Sequence, residues 1–223
     1  MDKLVRNIEI PLAKKRILNA GLYIVPEERL GELSEAAANA YQDYPLHNWL
    51  SNGKYDPEMS RLLMLVSLKA MVKDAVIYAD SEELNGFAAW FPQGFTGNKP
   101  LPFIINGGFD LILHSGIGIM RKLLAYEDYG INLKKEFTDH YDWYLFNLSI
   151  KKEAQGKGIA TKLMRPMLQF CDDEKMVAYL ETHKGSNVGL YEHYGFDLVR
   201  EENIPKTNVV QYSMVRKPVS DEH

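Results

Sequence analysis

The chain has 223 residues, 46% hydrophobic and 25% charged; this is ordinary globular make-up, with enough length to bury a sizeable core in one domain spanning 1–223. A formal net charge of −4 argues against a nucleic-acid binder, which needs a basic surface. The single cysteine, Cys171, excludes an internal disulfide and points to a reducing, cytoplasmic setting, and no apolar run is long enough for a membrane span.

In chain order, Met1 to Ile10 carries charges at Asp2, Lys3, Arg6 and Glu9 and does not read as a signal peptide. Pro26 to Tyr41 predicts a helix, with Leu30, Leu33, Ala37, Ala40 and Tyr41 on one face. Asp56-Pro57 predicts the start of a second helix, with Met59, Leu62, Leu63 and Val66 as its stripe. Ala75 to Ala79 and Gly86 to Phe91 predict a hairpin across the polar Asp80 to Asn85. Pro92 to Pro102, rich in glycine and proline, predicts a loop, and Phe103 to Tyr126 a helix that its glycines make breakable. Trp143 to Ile150 predicts a strand, Gly158 to Asp172 a helix, Val177 to Thr182 a strand and Val188 to Tyr194 a short helix. Strand-like runs near Asp197 to Asn203 and Val209 to Val215 close a mixed α/β order with no internal repeat.

Between the strand ending at Ile150 and the following helix stands QGKGIATKLM, Gln155 to Met164. It does not match G-x-x-x-x-G-K-[ST]. It fills only two glycines of G-x-G-x-x-G, because Thr161 takes the third place. It does meet [QR]-x-x-G-x-[GA] at Gln155, Gly158 and Ala160. There the backbone N–H groups from Gln155 through Gly156, Lys157, Gly158 and Ile159 to Ala160, with the helix N-terminus behind them, point at one anion. The plain alternative is a strand-to-helix turn with no ligand.

Downstream, LETHKGSNVGLYEHYGF (Leu180 to Phe196) adds an N-x-x-x-Y-x-x-x-G-F block at Asn187, Tyr191, Gly195 and Phe196. With the glycine turn, this resembles the GNAT superfamily of N-acetyltransferases. AYQDYP at Ala40 to Pro45, Trp143 and the proline in LMRPML narrow the resemblance to its puromycin N-acetyltransferase-like members. It is strongest from Trp143 to Phe196 and thin from Pro92 to His140. Lys152 stands where the family often has proline.

The resemblance implies a single α/β domain with a mixed, mostly antiparallel sheet that splays open beside the cofactor, helices on both faces. It implies acetyl-CoA as co-substrate and an amine as acceptor. The backbone of Leu148 and Ile150 would hold the pantetheine arm like an added strand, and the turn would hold the pyrophosphate. Asn187 would either bond cofactor or cap the short helix. Tyr191 would protonate the departing thiolate, since a phenol stays protonated at neutral pH; a plain core tyrosine is the alternative. Glu181, on the face opposite Leu180, would be the general base or simply a solvated strand residue. Asp43, Tyr44 and His47 would line the acceptor pocket or merely end a helix.

Cys171 falls on the apolar stripe of Ile159, Leu163 and Met167, which favours direct transfer in a ternary complex over an acetyl-enzyme. His183 and His193 lack metal-ligand spacing, so no metal is expected. The rival functions are a non-catalytic acyl-CoA sensor and an enzyme for a longer acyl-CoA. The acceptor expected is a small-molecule amine, with no nucleic-acid or membrane partner.

Overall fold

Residues 5–93, 103–137 and 142–219 are described by the computed structural model. Among them, the alternating runs form strands β1 (Tyr23–Ile24), β2 (Val76–Ala79), β3 (Gly86–Pro92), β4 (Trp143–Ile150), β5 (Ala178–Thr182), β6 (Asp197–Asn203) and β7 (Val210–Arg216). These make one sheet in the order β1-β2-β3-β4-β5-β7-β6. Neighbours pair antiparallel except β4 and β5, which run parallel. The predicted hairpin is the β2–β3 pair.

Helices cover both faces. On one face α1 (Ile10–Asn19), α7 (Ile159–Asp173) and α8 (Val188–His193) share a core with Trp90, Trp143, Leu145 and Leu180. On the other, α2 (Leu30–Ala40) and α4 (Pro57–Met71) pack on Ile77, Phe87, Ala89 and Phe91. The short α3 (Pro45–Leu50) follows α2. Helix α1 was not among the predicted elements. Lys14, Lys15 and Arg16 interrupt its apolar residues, yet Ile10, Ala13 and Ile17 are buried at helical spacing. Pro11 sits in its first turn, where a missing N–H has no helical partner to lose. Asp56 caps α4 as predicted, accepting the Met59 N–H at 2.9 Å. The predicted stripe is buried at Met59, Leu62 and Val66, while Leu63 is half-buried.

The predicted helix from Phe103 to Tyr126 is a broken one that extends to Phe137. A π-turn at Ile104–Gly108 leads into α5 (Phe109–Ser115), and the chain breaks at Gly116 before α6 (Gly118–Phe137). Leu111, Ile119 and Leu123 from this segment pack with Leu46, Leu50, Met59 and Val66 in a third core cluster, which also holds Ile204 and Val209. The predicted loop begins after Pro92, and its residues 94–102 lie outside the described residues.

Strand β4 departs from simple alternation, and the departure positions the site. Its register with β3 runs Leu145↔Trp90 and then Asn147↔Ala89, leaving Phe146 as a bulge. Trp143 and Leu145 therefore face the α1/α7 core, but past the bulge it is Leu148 that packs there. Asn147 instead donates to the Tyr41 hydroxyl at the end of α2. Strand β5 pairs with β4 only at Trp143↔Ala178, Tyr144↔Tyr179 and Leu145↔Leu180. Beyond these pairs β4 stays with β3, and Glu181 and Thr182 stay with β7. The sheet opens as a wedge from the bulge onward.

Candidate active site

The mouth of the wedge carries the glycine turn. After a 3-10 turn at Lys152–Ala154, Gly156 takes φ 75° and Gly158 takes φ 78°. Left-handed backbone there costs an L-residue roughly 1–2 kcal/mol, so glycine is the fitting residue. Apart from the adjoining residues, no atom lies within 4 Å of where a Cβ would stand at either position. These glycines serve backbone shape and open space rather than tight packing. Gly158 is the N-cap of α7 with no side chain capping it, so the first N–H groups of the helix, at Ile159 and Ala160, look for a partner outside it. Lys157 is exposed beside them. Gln155 turns back, its side-chain amide donating to the Ile150 carbonyl at 3.3 Å. The arrangement is a concave set of donors at a positive helix end, suited to a phosphate.

Helix α8 is tied to α7. Arg216 pins it, donating to the Tyr194 carbonyl at 3.0 Å and forking onto Asp172 of α7 at 2.8 Å through each terminal nitrogen. Thr161 and Tyr194 join their hydroxyls at 3.0 Å. Asn187 occupies the N-cap place of α8 but does not cap it; its amide donates to Thr182 Oγ1 at 3.2 Å. Tyr191 is 7% exposed, in the core cluster against which Leu148, Ile159 and Val188 pack. Burial raises its phenol above the ordinary tyrosine range, and Tyr44 and Tyr41 raise it further. The Tyr191 hydroxyl thus keeps its proton through neutral pH.

Past the wedge, on the α2/α4 face, side chains from distant segments meet. Glu181 lies opposite Leu180, as the strand period requires. One of its carboxylate oxygens accepts the Tyr179 hydroxyl at 2.9 Å and the other the Tyr144 hydroxyl at 3.3 Å. Tyr44 lies 3.4 Å from Thr182 Oγ1 and 3.3 Å from His183 Nδ1, and it accepts the His183 backbone N–H at 3.0 Å. His47 stacks on Tyr41 with centroids 4.2 Å apart and bonds Ser60 at 2.8 Å. Burial, aided by His183, lowers its pKa to about 3, so it is neutral. Asp43 stays exposed on the turn before them. Nothing in the local sequence singles out Tyr41, Tyr126, Asn147 or His183 for this face. They come together only in the fold, from α2, α6, β4 and the end of β5.

Cys171 is fully buried, and burial pushes its thiol up to about 12. Among the described residues no three His, Cys, Asp or Glu side chains converge to hold a metal ion, and no helix is long and apolar enough to cross a membrane.

Comparison with known proteins agrees with this geometry. Residues 114–196, which include the turn, the wedge and the Asn187–Phe196 block, match the model of the Acetyltransferase (GNAT) family. An uncharacterized N-acetyltransferase of Schizosaccharomyces pombe is 35% identical over 89 residues, 39% of this chain. The match spans 36% of that relative, so the chain covers about a third of its length. A Corynebacterium glutamicum structure described as histone acetyltransferase HPA2 and related acetyltransferase superposes with a TM-score of 0.62 at 15% identity, over 91% of this chain and 98% of that one. Arylalkylamine N-acetyltransferase 2 from Aedes aegypti gives a TM-score of 0.55 at 19% identity, over 88% and 97%. At these identities the two structures speak to the fold alone. Over residues 114–196 the sequence is similar to the GNAT acetyltransferase family, and the chain shares its fold with these acetyltransferase structures.

Proposed function

We propose that the protein transfers the acetyl group of acetyl-CoA directly to a primary amine, working as one domain over residues 1–223. The observation that carries this reading is the wedge between β4 and β5, which has the left-handed glycine turn at its mouth and Tyr191 in the core cluster against which Leu148 packs. Acetyl-CoA fits as a substrate because the space above Gly156 and Gly158 is open and the helix end behind it favours phosphate. The backbone of Leu148 and Ile150, on the part of β4 that β5 leaves, is the edge for the pantetheine arm. Gln155, Lys157, Ile159, Ala160 and Asn187 complete the cofactor side.

The amine attacks the thioester carbon with its lone pair, and Tyr191 protonates the sulfur as the C–S bond breaks. Glu181, held in place by the Tyr144 and Tyr179 hydroxyls, supplies the negative charge that favours removal of the amine's proton on this side. Tyr44 and His47 line the acceptor side, and Asp43 stands at its rim. The buried, weakly acidic Cys171 gives no thiolate for an acetyl-enzyme. Its presence as a free cysteine fits a reducing compartment such as the cytoplasm.

The test is a panel of small primary amines assayed with acetyl-CoA for free-thiol release and for the N-acetyl product. Amine-dependent release with matching product is expected. Binding of acetyl-CoA with no transfer to any amine would instead favour a sensor, and faster release from a longer acyl-CoA would change the donor.

A further inference from the structure

His183 is 6% exposed at the end of β5, in the acceptor-side cluster. Its ring is held at both nitrogens. Nε2 lies 3.3 Å from the Gln211 carboxamide oxygen and 3.2 Å from the Tyr126 hydroxyl. With the Gln211 oxygen facing it, Nε2 carries the ring proton, and the Gln211 amide nitrogen is left buried without a partner among the described residues. Nδ1 then presents its lone pair, and the atom 3.3 Å away is the Tyr44 oxygen. The Tyr44 hydroxyl therefore donates to Nδ1 and receives the His183 backbone N–H at 3.0 Å. The phenol has its proton directed to a base and still has lone-pair capacity. Tyr44 and Tyr126 also meet the imidazole edge-on, with centroids 5.7 Å and 5.6 Å away.

We propose that His183, acting through the Tyr44 hydroxyl, takes the proton that the acceptor amine loses during transfer; this role rests on the acetyltransferase reading above. The amine lone pair forms the C–N bond at the thioester carbon. The nitrogen passes a proton to the Tyr44 oxygen as the Tyr44 proton moves to Nδ1, leaving an imidazolium and an intact phenol. The C–S bond breaks with its pair on sulfur, and sulfur takes the Tyr191 proton. Proton exchange with water restores both side chains. Glu181 becomes the carboxylate whose field favours the imidazolium rather than the proton's first stop. The titratable groups facing this relay include Tyr44, Tyr126, His47 and Glu181: His183 acts on His47, and Glu181 on Tyr44 and Tyr126.

The experiment uses the best amine of the panel with the parent, His183→Gln, Tyr44→Phe and the double variant, measuring kcat, KM, acetyl-CoA affinity and the pH profile. His183→Gln is expected to lower kcat about 10²-fold with acetyl-CoA affinity unchanged. The parent's rate should fall on acidification through His183 as well as through the acceptor ammonium, whereas His183→Gln should keep only the ammonium limb. Tyr44→Phe, which keeps the ring, should lose as much, and the double variant little more, because the two act as one unit. A profile of unchanged shape in His183→Gln, or additive losses in the double variant, overturns the relay and leaves a packing role. If His183→Gln does not fold, full activity in Tyr44→Phe overturns it equally. A parent that binds acetyl-CoA but acetylates no amine overturns the function and the relay with it.

Discussion

The two sides of the wedge are built on different physical terms. The proposed cofactor side is largely local and made of backbone: one strand end, a turn and a helix N-terminus within Trp143 to Asp173, with Asn187 added from further along. Its key residues are glycines, chosen for φ and for the absence of atoms above them. The acceptor side is non-local and made of side chains. Tyr44 and His47, Tyr126, His183 and Gln211 come from four stretches of chain and are held by hydrogen bonds of 2.8–3.4 Å. A backbone site tolerates side-chain change at most positions and fails at its glycines. A side-chain site fails at any member and is free to diverge as a set.

The largest effect that would break this contrast lies at the turn. Gly158→Val should lower acetyl-CoA affinity about 10²- to 10³-fold, because it forfeits charge-assisted N–H bonds worth roughly 1.5–3 kcal/mol each. The fold should survive with strain of about 1–2 kcal/mol at φ 78°. Calorimetric titration with thermal melts separates the two. Unchanged affinity in a folded variant would give the turn a purely structural role.

On the acceptor side, the buried neutral His47 sharpens the comparison through pH. Its folded pKa of about 3 is below the ordinary imidazole value of 6.5, so the unfolded chain binds a proton that the folded one refuses. Its contribution to stability is intact above pH 6.5 and is lost as pH falls from there toward 3. At pH 5 that loss is about 2 kcal/mol. The imidazole of His47 should show no NMR titration between pH 8 and pH 5. A midpoint near pH 6.5 would mean that the ring is solvated and the acceptor side looser than drawn.

Asn187 should give the smallest effect. Its amide is committed to Thr182 Oγ1, so Asn187→Ala removes one hydrogen bond and should cost about 0.5–1.5 kcal/mol in stability or cofactor affinity. A fall of 10²-fold in affinity would move Asn187 into direct contact with the cofactor.

The same contrast governs what the sequence disclosed. The β4 strand has the predicted bounds, Trp143 to Ile150, because period-2 alternation is a local signal. The turn was legible because glycine spacing is local too. The bulge at Phe146 was not, since it exists only in register with Ala89 and Trp90, and it decides that Asn147 faces Tyr41. His183 gave no signal because its partners are far away in sequence, and α1 was hidden by charges on its outer face. Asn187, a preferred cap residue by composition, found a better partner in Thr182.

The central claim is that chemistry occurs in the wedge, with the cofactor bound by backbone and the leaving thiolate protonated by Tyr191. Its most direct test is Tyr191→Phe, which removes one hydroxyl and keeps the ring in the core. Steady-state turnover with the best amine should fall about 10²-fold while acetyl-CoA affinity stays within about twofold, as expected when an interaction is made only in the transition state. Equal turnover in the two proteins would remove Tyr191 from the chemistry, and lost affinity at unchanged turnover would make it a binding residue; either result contradicts the account.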